Sequence, residues 1–367
     1  SNSQPPNATN WYALPADMTY EIPSPYLEAE LFDLHYVQSA DVVTLVHPNH
    51  APRELRRLGA TKWEVLVINF GSPIAAPSNV SVAAYIPSSS STNTDTFFTH
   101  NYVVTAIATN LVDESAQSSA ASVNNNIFVS GAKNTITWNA VTGASRYRVY
   151  KDQGGIFGFI GETTTTTIID NNIAPDFTVT PPIYENDFVG TGNYPGAVSY
   201  FEQRRVFAGP NNFPQSIWMT KSGTESNMSF GLPIRDDDRI EFRVAAREAN
   251  TIRHIVPLTN LLMLTGSAEW RVTSVNSDAI TPTSISVKPQ SYVGANNAQP
   301  VIVNNSMVYA AARGGHVREL GYNWQANGFI TGDLSLRSAH LFDNFQITDM
   351  TFSKAPIPIV YFVNDQG

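Results

Sequence analysis

The sequence places two histidines three residues apart in His47-Pro48-Asn49-His50, the pair best suited to hold a metal ion, because imidazole nitrogens suit borderline cations. Pro48 and Asn49 fit a turn between strands equally well, and no third ligand stands at a telling spacing. The expectation is therefore that no metal is held. Asp236-Asp237-Asp238 has the carboxylates for Ca²⁺ but lacks the alternating ligands and central glycine of a calcium loop. A solvated turn paired with Arg235 and Arg239 is expected instead. Ser267 in TGSAEW and Ser222 in KSGTES lack the glycine-flanked elbow of hydrolases, and neither has an assignable His and Asp partner. Gly154-Gly155 and Gly314-Gly315 precede no Lys-Ser/Thr, so they predict hairpin turns and not a phosphate cradle. Paired carboxylates for glycoside cleavage cannot be placed from sequence. No catalytic, cofactor-binding or metal-ligating residue is expected, and no cofactor.

The elements that carry these residues are short and β-like. Asn250 to Val275 holds three apolar segments, Thr251 to Leu258, Leu261 to Thr265 and Glu269 to Val275, parted by Thr259-Asn260 and Gly266-Ser267. Such breaks suit an antiparallel meander. Similar units span His35 to Gly59, Ala197 to Gly223, Pro300 to Trp324 and Ile347 to Gly367. Taking their apolar strands to start at Val42, Arg205, Leu261, Met307 and Ile359 gives steps of 163, 56, 46 and 52 residues. The last three lie near the period of roughly 40–50 residues of a four-stranded propeller blade. The first is far longer and predicts an insertion. Within the first unit, Glu54 to Leu58 suits a strand better than a helical turn. The last unit stops after IVYFV, which predicts an exposed edge and a chain that is a fragment or is completed by another segment.

The expected fold is all-β: a propeller-like array of meanders over residues 31–71 and 183–367, interrupted by a β-sandwich over 72–182. Residues 1–30, with Pro5, Pro6, Pro15, Pro23 and Pro25, predict an extended arm anchored by Trp11, Tyr12, Tyr20 and Tyr26. In the insert, inward alternation of Ile136, Trp138, Tyr147 and Val149 about a turn at Gly143 resembles the B and C strands of fibronectin type III and immunoglobulin-like sandwiches. Asn101 to Ser119 resembles the F–G hairpin of that fold, yet precedes the B–C pair. The sandwich is thus either permuted or two incomplete units in tandem.

Composition narrows the function classes. The 367 residues are only 14% charged and contain no cysteine, which excludes disulfides and thiolate metal sites. A net charge of −9 without a Lys/Arg cluster argues against tight phosphate binding. No apolar run is long enough for a membrane-spanning helix, and no signal-like segment opens the sequence.

The segment EIPSPYLEAELFDLHYVQSADVVTLVHPNHAPRELRRLG, with YFEQRRVFAG, IWMTKSG, TGSAEW and ARGGHVRELGYNW after it, resembles the tail nozzle or tail-tube stabilisation proteins of short-tailed bacteriophages and related prophages. The likeness covers residues 20 to 70 and 195 to 367. It implies a β-propeller body, a homo-oligomeric ring, other tail and adaptor proteins as partners, and DNA as cargo passing through a lumen. It further implies a place in the virion after synthesis in the bacterial cytoplasm, with no enzymatic activity. The alternatives are an adhesin whose sandwich binds carbohydrate or protein, and a propeller glycosidase or lyase with an accessory sandwich.

Overall fold

A computed structural model describes residues 22–87, 96–245 and 250–366. The expected anchors Trp11, Tyr12 and Tyr20 lie outside the described residues. The chain is almost entirely β-structure in antiparallel sheets. No described helix is long and apolar enough to cross a membrane.

The first sheet is a meander of β1 (His35–Ser39), β2 (Val42–His47), β3 (His50–Gly59) and β4 (Lys62–Val67). Glu54 to Leu58 lies in β3, where Leu55 pairs with Val43 on one side and Val65 on the other. Seven strands follow. Four form one sheet in the order β10 (Ile156–Thr163), β9 (Ala144–Gln153), β6 (Phe98–Ala108), β7 (Ala121–Asn125). The other sheet has the order β11 (Thr167–Asp170), β8 (Lys133–Thr137), β5 (Ser81–Tyr85). Both sheets share one core, in which Val82, Ile136 and Ile168 meet Tyr102, Val104, Tyr147 and Val149.

The return limb after β6 is irregular because serine hydroxyls stand where carbonyls would serve. Val104 N donates to Ser118 Oγ (3.0 Å) and Ala106 N to Ser115 Oγ (2.8 Å). A buried polar chain then ties the two sheets together. Tyr102 donates to Asp170 Oδ2 (2.6 Å), Lys151 Nζ lies 2.8 Å from the same oxygen, and Asn134 donates to the Tyr102 hydroxyl (2.9 Å).

Four further units follow the insert. A short pair, β12 (Ile183–Tyr184) and β16 (Ser229–Phe230), flanks the sheet of β13 (Ala197–Phe201), β14 (Arg204–Ala208), β15 (Ser216–Met219) and β17 (Ile240–Arg243). Next come β18 (Ile252–Pro257), β19 (Leu261–Thr265), β20 (Glu269–Thr273) and β21 (Ser286–Ser291). A third meander holds β22 (Val301–Val303), β23 (Ser306–Ala310), β24 (Val317–Asn323) and β25 (Gly328–Asp333). The last is a two-stranded sheet, β26 (Ile347–Ser353) with β27 (Ile359–Asn364).

Each second strand carries apolar residues on both of its faces, as in Val206, Phe207 and Ala208 of β14. Side chains of a strand alternate between faces, and here both faces are covered. Phe207 of β14 packs with Val46 and Phe70, towards the first sheet, while Val206 and Ala208 pack with Leu261 and Met263. Leu262 and Leu264 of β19 then meet Met307 and Tyr309 of β23, whose Val308 and Ala310 meet Ile347 and Met350. The sheets therefore pack face to face in chain order. The series ends on β27, where Ile359, Tyr361 and Val363 are exposed.

Candidate functional site

The first strands of the sheets begin around a common cavity of about 630 Å³. His35 and His47 of the first sheet line it, with Gly196 and Gly209 of the second, Ile252 and Arg253 of the third, Asn296 and Asn297 before the fourth, and Ile347 of the last. Its polar groups act as clamps between sheets. His35 sets Nδ1 2.6 Å from Gly196 O and Nε2 3.0 Å from Asn297 O, although a neutral ring can donate to only one of them. His254 packs 4.8 Å from His35, ring to ring, and places Nε2 2.8 Å from Asn296 O. Burial, helped by the neighbouring His35, holds the His254 pKa well below 6.5. Arg253 donates to Ala295 O (2.7 Å), and Asp33 accepts from the Asn297 amide (2.6 Å).

His47, at the cavity wall, belongs to the pair singled out by sequence. His47 ends β2, His50 begins β3, and the two are register partners across the Pro48-Asn49 turn. Their rings consequently lie on one side, 5.2 Å apart. No third ligand stands at a telling spacing in the sequence, but the fold sets Glu30, carried by the 3₁₀ segment Glu28–Asp33, beside the two rings. One ring nitrogen of each histidine and one Glu30 oxygen lie within 4.8 Å of one another. Spacing could not reveal this, because the third donor comes from a separate segment folded back on the hairpin.

The bonds around the trio are unequal. Glu30 Oε2 accepts from Leu27 N (3.0 Å) and lies 2.8 Å from His50 Nε2. The Leu27 amide foremost, then His50, lowers the Glu30 pKa to about 2. Asn49 N donates to His47 Nδ1 (3.1 Å), whereas His47 Nε2 is buried without a partner. Burial also lowers the His47 pKa, against the opposing charge of Glu30. Tyr26, the one expected arm anchor that is described, meets His50 edge-on at 5.1 Å and keeps its own hydroxyl buried and unpartnered.

The other sequence candidates have structural roles. The aspartate run is a solvated turn at Asp236 and Asp237, both exposed, but not at Asp238. Asp238 is 1% exposed, and its Oδ2 accepts from Gly231 N (3.0 Å) and Arg235 N (2.9 Å). Of the flanking arginines, Arg235 approaches Asp237 only at 3.9 Å, and Arg239 turns to Glu185 (2.7 Å) and Asp187 (2.8 Å). Ser267 accepts from the Asn250 amide, and Ser222 N donates to Asp237 O (3.0 Å). Gly154-Gly155 and Gly314-Gly315 are turn glycines with positive φ. Sequence reasoning missed Arg205, which is wholly buried. It donates to Glu54 Oε1 of the first sheet (2.6 Å), to the Tyr200 hydroxyl (3.2 Å) and to Glu225.

Neither protein-family models nor curated proteins gave a match to this chain.

Proposed function

We propose that the chain is a structural, non-enzymatic component of a phage or prophage tail, part of a wall around a DNA channel. One observation carries the reading: four-stranded meanders pack face to face in chain order with their first strands about one cavity. That arrangement supports a propeller-like array, a stiff body suited to a wall. The strand order β10-β9-β6-β7 over β11-β8-β5 supports a fibronectin-like sandwich whose F–G hairpin precedes its B–C strands. In this reading the sandwich would be the part that touches other tail proteins.

A cavity of about 630 Å³ is far too small for a duplex whose major groove alone is about 12 Å wide. The lumen for DNA would then lie between copies in a ring. A net charge of −9 would let nucleic acid slide past without being gripped. Electron microscopy of the full-length protein tests this. Rings with a central channel are expected, and monomers alone over a range of salt and concentration would overturn it.

A further inference from the structure

We propose that Glu30, His47 and His50 bind a borderline divalent transition cation, Zn²⁺ foremost, and so fasten the segment carrying Tyr26 and Glu30 onto the β2–β3 hairpin. The donor chemistry comes first. Two imidazoles and one carboxylate form a three-ligand set suited to zinc, with the fourth position left to water. The three ligand atoms already lie within 4.8 Å of one another. Bonds of about 2.0–2.2 Å need them somewhat closer. The flexible Glu30 side chain and the Pro48-Asn49 turn are the parts that would close the gap.

A second and independent observation points the same way. His47 is 3% exposed, yet its Nε2 is buried with no hydrogen-bond partner. Buried polar atoms are ordinarily satisfied, so an unpartnered nitrogen on the buried ring of this trio marks a place for a ligand. Tyr26 packs edge-on against the His50 ring at 5.1 Å, and Asn49 reaches Glu30 Oε1 at 3.5 Å. These contacts give the trio an outer layer that holds the carboxylate and restricts water.

The proton balance is definite. Zinc takes the nitrogen lone pair, so the ion replaces the contact between His50 Nε2 and Glu30 Oε2 with a bond to each. The His50 proton moves to Nδ1, or leaves for solvent if the ring is charged. At His47, binding through Nε2 shifts the ring proton to Nδ1 and frees the Asn49 N–H, while binding through Nδ1 displaces that N–H directly. Either route moves the Pro48-Asn49 turn.

The site is independent of the tail-wall reading and is tested on the full chain with any tag removed and metals stripped by chelator. ZnCl₂ titrated by calorimetry should show one ion per chain and a raised thermal midpoint. Co²⁺ should give the visible absorption of a four-coordinate nitrogen and oxygen site. Loss of outer-layer contacts alone weakens metal binding about 10–100-fold, so Glu30→Gln and His50→Ala should weaken it by at least as much. Both residues are partly exposed, and apo variants that melt like the apo parent establish that they fold. No uptake by the parent chain, or unchanged uptake by both variants, would overturn the proposal.

Discussion

Arg205 shows what single residues contribute here. Its guanidinium joins two sheets, since one of its two carboxylate partners, Glu54, lies 151 positions earlier in the chain. Burial alone would raise the Glu54 pKa, but hydrogen bonds and charge from Arg205 and Arg56 outweigh it and keep it low. Breaking such a pair strands a buried charge, so Arg205→Leu should destabilise the fold by about 3–5 kcal/mol in urea unfolding. Replacing Glu54 by Leu as well should restore much of that loss, because an apolar pair needs no solvation. None of this was legible beforehand. Sequence shows that Arg205 is charged, not which carboxylate 151 residues away will meet it, and Glu30 stayed hidden from His47 and His50 for the same reason.

Among the elements, the hairpins were far more legible. Turn residues and β-branched runs act locally, so β18 to β20 fall within a residue or two of the segments between Thr251 and Val275. Ile136, Trp138, Tyr147 and Val149 are all buried, as their alternation implied. What local pattern could not supply is the closeness of sheet to sheet. Gly209 has φ +72°, and a Cβ there would sit 2.1 Å from Ile252 O of the next sheet. Backbone cannot yield as a side chain can, so Gly209→Ala should cost more than the roughly 1–3 kcal/mol of backbone strain alone. Gly154 has nearly the same φ, +70°, but open space around it. Gly154→Ala should cost only about 1–2 kcal/mol, and thermal unfolding of the two variants separates junction from turn.

The whole molecule carries a pH dependence that no single sheet reveals. His47, His100 and His254 all have pKa values lowered from 6.5, in each case chiefly by burial. Unfolded, the same rings take up protons near 6.5, so the unfolded state binds more protons than the folded one below that pH. Their contribution is complete above 6.5 and is lost as pH falls towards the lowered values. Glu54 and Asp333, also lowered, extend the loss below the carboxylate range. The urea midpoint should therefore be lower near about pH 5 than near about pH 7.5, and His254→Gln should flatten that difference. An unchanged midpoint would contradict the burial of these rings. Sequence counted the histidines and did not place them, because their burial depends on sheets brought together from distant parts of the chain.

The long excursion between the first and second sheets has a temporal consequence. Val67 and Ala197 are roughly 130 residues apart, yet Val46 and Phe70 complete their burial against Val198, Phe207 and Trp218. Emerging from a ribosome at about 5–20 residues per second, the early hairpins wait on the order of 10 s for the surface that covers them. Closing so long a loop is entropically slow, and contact order this high delays folding further. The intervening β5–β11 unit, built on its own core, can fold during that wait and shorten the gap the ends must bridge. The nascent first sheet is thus where a holding chaperone would be needed most.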